Sequence, residues 1–158
     1  MSARITPDYR DLAAVLEVER RAGKTLALTN GCFDLLHVGH VRMIREAAAL
    51  ADLLVVALND DASTRANKGL DRPVLPLAER MEVIAAIAGV AFVTSFGEAT
   101  AAEILAMLRP DFYVKGTDWT PDTVPERTVV AAYGGSIVIA GDEKHRASSD
   151  LIARMRRN

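Results

Sequence analysis

The segment from Thr29 to His40 does most to constrain the fold, because it joins two different hydrophobic patterns. It reads Thr-Asn-Gly-Cys-Phe-Asp-Leu-Leu-His-Val-Gly-His. Residues 25–29, which lead into it and share Thr29 with it, form a short apolar run typical of a central strand in a parallel sheet. After it, apolar residues recur at helical spacing from Val41 to Ala51. A turn from a buried strand into a helix presents free backbone N–H groups at the positive end of the helix dipole. The sequence therefore predicts a phosphate-binding turn.

Two histidines and two glycines lie within this turn. His37 and His40 are three residues apart at the start of the predicted helix, so their imidazoles can direct hydrogen bonds toward one phosphoryl group. Gly31 and Gly39 allow positive φ or close approach of the backbone to a ligand. A histidine pair at this spacing is often incidental, and no nearby residue supplies the third ligand that a metal would need. We therefore expect a phosphate site without a bound metal.

Further apolar runs alternate with helical patterns along the chain. The runs cover residues 53–58, 90–94, 112–115 and 136–140. With residues 25–29 they predict an α/β fold, a Rossmann-like three-layer α/β/α arrangement with a five-stranded parallel sheet. Residues 1–23 are predicted to be an N-terminal helical extension, whose helix starts near Pro7 or Asp8 and ends at Gly23.

Composition excludes several classes of protein. A chain of 158 residues corresponds to one domain, and its formal net charge of −2 argues against non-specific nucleic-acid binding. No apolar run is long enough to span a membrane, and the first ten residues show no signal-peptide pattern. Cys32 is the only cysteine, which excludes an internal disulfide framework and favours the cytoplasm.

Two cations stand near the predicted phosphate site. Lys68 lies in a glycine-flanked segment, predicted to be a flexible loop, where a lysine can neutralise a polyphosphate. Arg80 lies in the first turn of a predicted helix over residues 77–88, where a cation opposes the helix dipole. We expect an anionic partner for Arg80, a nucleotide in preference to a carboxylate such as Glu79 or Glu82.

The later strand ends also carry polar residues. Gly116 and Asp118 follow the run 112–115, and Asp118 suits ribose hydroxyls or another substrate group. Trp119 offers a stacking face or a hydrophobic lid, or it is partly buried in the core. The last helix opens with Arg146, Ser148 and Ser149, which suit the outer phosphates of a nucleotide, although one serine can simply cap the helix.

Residues 31–40 resemble the motif of the cytidylyltransferase-like nucleotidyltransferase superfamily, whose His-x-Gly-His holds the nucleotide phosphates. Within it, the chain is most similar to the D-glycero-β-D-manno-heptose 1-phosphate adenylyltransferases, which make ADP-heptose. The matching segments are Lys68-Gly69, Arg72-Pro73, Pro76–Met81, Arg109–Asp111 and Val114–Asp118. The resemblance runs from about Lys24 to the C-terminus, so residues 24–158 are predicted to be a single nucleotidyltransferase domain.

The resemblance implies transfer of AMP from ATP, with Mg²⁺, to a sugar 1-phosphate such as heptose 1-phosphate, and it implies a homodimer. Carried over by position, the catalytic residues are His37, His40 and Lys68. The nucleotide-binding residues are Asn30, Gly31, Phe33, Asp34, Gly39, Arg80, Gly116, Asp118, Arg146, Ser148 and Ser149. Thr117 stands where a glycine is usual, and Ala147-Ser148-Ser149 replaces the usual Ser-Thr-Thr while keeping hydroxyls at Ser148 and Ser149.

Three other interpretations remain at this point. The chain could be a cytidylyltransferase for glycerol 3-phosphate or a related alcohol phosphate, although it lacks the Arg-Thr-Glu-Gly-Ile-Ser stretch associated with that group. It could be a non-catalytic module that senses nucleotide, which the retained histidines and Lys68 disfavour. It could also be a structural interaction domain, which leaves the polar strand ends unexplained.

Overall fold

Six parallel strands alternate with seven helices in the computed structural model, which describes residues 2–143 and 148–157. The strands are β1 (Arg4–Asp8), β2 (Leu26–Gly31), β3 (Leu53–Asn59), β4 (Phe92–Phe96), β5 (Phe112–Lys115) and β6 (Ser136–Ile139). The helices are α1 (Tyr9–Arg21), α2 (Val38–Ala48), α3 (Asp61–Lys68), α4 (Leu77–Ala85), α5 (Ala102–Leu108), α6 (Arg127–Ala132) and α7 (Ser148–Met155). No helix in the described part of the chain is both long and apolar enough to cross a membrane.

The sheet separates two hydrophobic cores, which confirms the predicted three-layer α/β/α arrangement. Side chains alternate between its faces, so Leu26 and Leu28 enter one core while Ala27 enters the other. Helices α1, α5 and α6 cover the first face, and α2 and α4 cover the second. Both faces of the central strands are therefore buried, as their continuous apolar runs require.

In the described part of the chain the sheet has six strands rather than the predicted five, because β1 was not predicted. Its segment is largely exposed and contains Pro7, so it carries no apolar run. Arg4 pairs with Phe92 and Ile5 with Val93, which places β1 at the sheet edge, where proline is tolerated. Helix α1 follows directly and is capped by Asp8, one of the two residues at which the sequence predicted that the helix starts. The strand and helix of the N-terminal region thus belong to the same sheet and core as the rest of the described chain.

The strand order β1-β4-β3-β2-β5-β6 creates a switch point between β2 and β5. From β2 the chain builds outward through β3 to β4, and it then crosses back to place β5 on the other side of β2. In parallel α/β sheets, ligands bind beyond the carboxyl ends of the strands at such a point. The phosphate-binding turn predicted from sequence follows β2, at this position.

Candidate active site

A cleft of about 590 Å³ lies at the switch point, which is within the range typical of small-molecule sites. Its walls come from the ends of β2 and β5, the first turn of α2, the end of α3 and the first turn of α7. The predicted site residues that line this cleft are Asn30, Gly31, Phe33, Asp34, His37, Gly39, His40, Lys68, Gly116, Asp118 and Ser149. Segments far apart in sequence thus form one cavity at the position expected for the fold.

The two histidines cap the helix that follows β2. His37 is the N-cap of α2, and its Nδ1 accepts a hydrogen bond from the Gly39 N–H at 3.1 Å. His40 Nδ1 accepts from the His37 N–H at 3.3 Å, and the ring centroids are 4.0 Å apart. An imidazole whose Nδ1 accepts a hydrogen bond is neutral and carries its proton on Nε2. The cap therefore makes Nε2–H the donor of each ring.

Gly39 is required by this cap. A Cβ at position 39 would lie 2.9 Å from His37 Cε1 and 3.0 Å from His37 Nδ1, which is closer than side chains normally approach. Any larger residue would push the imidazole away from the helix N-terminus. The second glycine of the turn, Gly31, similarly faces the ring of Phe33, whose Cε2 is 3.2 Å from where a Cβ would be.

Phe33 has an unusual backbone conformation for a bulky residue. Its φ is 46°, in the left-handed region, and its side chain is buried. Such a conformation costs about 1–3 kcal/mol and persists only where the surroundings enforce it. The Phe33 ring meets His40 edge to face, with centroids 5.6 Å apart. The strained turn thus places an apolar wall beside the second histidine.

Asp34 anchors the loop that borders the cleft. Its carboxylate accepts hydrogen bonds from Arg72 Nε at 2.6 Å, from the Val74 N–H at 2.8 Å and from the Leu75 N–H at 3.0 Å. Burial of this side chain disfavours its charge, but these donors outweigh that effect and hold the pKa of Asp34 below its usual range. Asp34 therefore lines the cleft as predicted, with its oxygens engaged by the loop.

Arg80 lies beneath the cleft and not among the residues that line it. Its side chain is fully buried, and it donates to the carbonyl oxygens of Leu75 at 3.0 Å, Cys32 at 2.6 Å and Asn59 at 2.9 Å. Its anionic partner is Asp61, at 2.7 Å. The anionic partner of Arg80 is thus a carboxylate, where the sequence favoured a nucleotide. The buried guanidinium ties the ends of β2 and β3 to α4.

The sequence predicted that Lys68 lies in a loop, but it is the last residue of α3. It lines the cleft. The helix starts at the cap Asp60, whose Oδ1 accepts from the Ser63 N–H at 2.7 Å, and Gly69 ends it with a φ of 110°. Arg146 and the side chain of Ser148 lie outside the described residues. Ser149, in the first turn of α7, lines the same cleft.

Residues 28–153 match the family model described as cytidylyltransferase-like. The chain belongs to this family. The matched region includes β2 from Leu28 onward and the histidine cap, so the sequence-based prediction of a nucleotidyltransferase enzyme is confirmed.

Cytidylyltransferase-like relatives with high identity are longer than this chain. A bifunctional protein HldE from Syntrophotalea carbinolica is 46% identical over 152 residues, which cover 96% of this chain and 30% of that protein. A protein of the same name from Geotalea uraniireducens is 43% identical over 145 residues, with 92% and 30% covered. The chain thus spans about a third of the length of these relatives.

A solved structure shares the fold of this cytidylyltransferase-like domain. The lipopolysaccharide core biosynthesis protein from Thermoplasma volcanium superposes with a TM-score of 0.67 at 24% identity. The match covers 77% of this chain and 100% of that one. It supports the Rossmann-like architecture.

The end of β5 carries a residue of the cleft that sequence analysis did not single out. Lys115 lines the cleft, with Nζ 5.3 Å from the centroid of the Trp119 ring and 5.6 Å from that of Tyr113. Burial lowers the pKa of Lys115, and the negative charges of Glu126 and Asp118 oppose that effect. A lysine at the carboxyl end of a predicted parallel strand is the signal that could have identified it.

The remaining predictions at this strand end concern Trp119 and Thr117. Trp119 packs against the core on the α1 face, as the interpretation of partial burial predicted, and it also lines the cleft. Its role as a stacking face or lid stays a prediction. Thr117, where a glycine is usual, donates its hydroxyl to the carbonyl of Asp142 at 2.8 Å. The substitution therefore ties the loop after β5 to the loop after β6.

Proposed function

We propose that this domain transfers the AMP group of ATP, bound with Mg²⁺, to a sugar 1-phosphate, with heptose 1-phosphate as the acceptor. The observation that carries the proposal is the pair of imidazoles that cap the N-terminus of α2, in one cleft with Lys68 and Lys115. Cytidylyltransferase-like family membership, the HldE relatives and the residues that resemble heptose 1-phosphate adenylyltransferases support it.

The reaction needs no covalent intermediate. An oxygen of the acceptor phosphate attacks the α-phosphorus of ATP, the bond from that phosphorus to the bridging oxygen breaks, and pyrophosphate leaves. The nucleophile is already ionised, so no general base is required. Positioning of the two anions and stabilisation of the developing charge then supply most of the acceleration.

The residues of the cleft suit these tasks. His37 and His40 donate their Nε2–H groups to the nucleotide phosphates, and the positive end of the α2 dipole favours an anion there. Lys68 neutralises charge on the polyphosphate. Mg²⁺ would be carried by the phosphates of ATP, where it would supply positive charge against their oxygens. Within residues 2–143 and 148–157 no three side chains of the metal-ligating types cluster, and Mg²⁺ commonly relies on substrate phosphates and water.

The decisive experiment measures Mg²⁺-dependent pyrophosphate release. ATP and CTP are each paired with heptose 1-phosphate, other sugar 1-phosphates and glycerol 3-phosphate. We expect release with ATP and heptose 1-phosphate. Release only with CTP would overturn the proposal in favour of a cytidylyltransferase, and ATP binding without release would overturn it in favour of a sensing module.

Two further expectations accompany this proposal. The homodimer implied by the family resemblance is testable by light scattering, which should report twice the mass of the chain. A cytoplasmic location, favoured by the single cysteine, is testable by fractionation of the source cells.

A further inference from the structure

Lys115 occupies a place in the fold that suits an anionic ligand. It ends β5, and β5 pairs with β2, so Lys115 lies at the switch point beside the turn that carries the histidines. Its ammonium lies over the rings of Trp119 and Tyr113, and such cation–π contacts hold a cation in place. An aromatic face accepts no conventional hydrogen bond, so these contacts leave the three N–H donors of the ammonium available.

The described residues around Lys115 supply charge at a distance but no direct partner. Among the described residues, no carboxylate lies within salt-bridge distance of its Nζ, and no acceptor forms a hydrogen bond with it. Glu126, at the start of α6, is buried, and its Oε1 accepts from the Ala101 N–H at 3.3 Å. Its Oε2 has no hydrogen-bond partner within the described chain. This carboxylate favours the charged form of Lys115 without occupying its donors.

The strand order also separates the two lysines of the cleft. Lys68 follows β3, on one side of β2, whereas Lys115 ends β5 on the other side. The histidine cap follows β2 and lies between them. In phosphoryl transfer the attacking and leaving oxygens are roughly in line, so the two groups lie on opposite sides of the reacting phosphorus. Cations on both sides of the cap fit that requirement.

We propose that Lys115 binds the phosphate of the acceptor and thereby restricts this site to phosphomonoester acceptors, while Lys68 serves the departing pyrophosphate. This inference rests on the proposed adenylyl transfer and adds the residue that recognises the second substrate. Lys115 contacts a non-attacking oxygen of the acceptor phosphate, and the aromatic faces hold its ammonium ready before the acceptor arrives.

The test compares K115M and K115R with the wild-type chain. Methionine keeps a flexible apolar stem against Trp119 and removes the charge, whereas arginine keeps the charge. For K115M we expect the KM for the sugar 1-phosphate to rise roughly 10- to 100-fold, as expected for a lost charge-assisted hydrogen bond. The KM and calorimetric Kd for ATP should stay within about threefold, and K115R should recover most of the acceptor affinity.

A matched control and a fold check keep the outcomes distinct. Lys24 pairs with Glu19 at 2.6 Å and lies outside the cleft, so K24M removes a lysine without touching the site. Circular dichroism should show the same fold for all four proteins. If the wild-type chain releases no pyrophosphate with any sugar 1-phosphate, the proposed function fails. If the wild-type chain is active and K115M leaves the acceptor KM unchanged, or changes only the KM for ATP, the inference on Lys115 alone is overturned.

Discussion

The variant Gly39→Ala tests the link between the helix cap and catalysis. The added Cβ would lie 2.9 Å from His37 Cε1, whereas ordinary contact begins at 3.4 Å. The imidazole must therefore retreat by about 0.5 Å, the difference between these distances. Such a shift takes Nδ1 away from its backbone donor and moves the Nε2–H group away from the position proposed for the nucleotide phosphate.

The expected effect on stability is small because two terms oppose each other. Alanine is favoured over glycine within a helix by about 1 kcal/mol. Loss of a good N-cap costs about 1 kcal/mol. We therefore expect the free energy of unfolding, measured with urea, to change by less than about 1 kcal/mol. Activity should fall far more, since loss of one well-placed donor typically costs roughly 10²- to 10³-fold in rate.

The control is His37→Asn, because asparagine is a good N-cap residue but has no imidazole. It should keep the stability of the wild-type chain and lose activity to a similar extent in the pyrophosphate-release assay. A Gly39→Ala protein with wild-type kcat/KM would refute the claim that the cap positions His37 for catalysis.

Three further predictions follow from the buried charges and hydrogen bonds. Asp34→Asn should lower the free energy of unfolding by about 3–5 kcal/mol, because it breaks the buried pair with Arg72. Because folding lowers the pKa of Asp34, the ionised carboxylate stabilises the fold fully above the usual aspartate pKa, and this stabilisation is lost as the pH falls through the lowered pKa. The free energy of unfolding, measured with urea in acid, should therefore depend less on pH in the variant. Tyr9→Phe removes a 2.7 Å hydrogen bond to Glu98 and should cost about 1 kcal/mol at neutral pH. Burial and that bond raise the pKa of Tyr9 to about 12, so wild-type stability should decline between pH 10 and 12, and unfolding curves of the variant should decline less. Glu126 and Asp118 are the two carboxylates that oppose the lowering of the Lys115 pKa by burial, and Glu126→Gln removes one of them. The KM for the acceptor should rise at alkaline pH as Lys115 loses its proton, and in the variant this rise should begin at a lower pH than in the wild-type chain. Identical pH profiles would contradict this.

Much of the fold was predictable because its signals are local. The central strands are continuous apolar runs, and β5 begins and ends at the residues predicted from the sequence. The missed strand β1 shows the limit of such patterns. Only its pairing with β4 makes it a strand, and an exposed edge segment has no apolar periodicity to reveal that pairing.

In the candidate site, too, the sequence predicted the features that depend on neighbouring residues and missed those that depend on distant ones. The histidine turn was predicted because a buried strand, the glycines and the helix start lie within sixteen consecutive residues, 25–40. Lys68 was placed in a loop because Gly69 marks a break, but the helix capped by Asp60 extends up to that glycine. The partner of Arg80 was missed because Asp61 is nineteen positions earlier in the chain.

The sequence by itself determined the alternation of strands and helices and the chemistry of the turn after β2, since backbone hydrogen bonding, hydrophobic period and helix capping act between near neighbours. The tertiary structure decided which charged groups face the cleft. It buried Arg80 against Asp61 and the carbonyl groups below the cleft, and it brought Lys115 beside the histidine cap. The physical reason is that a charge loses its water on folding, and its partner is set by which strand ends meet at the switch point.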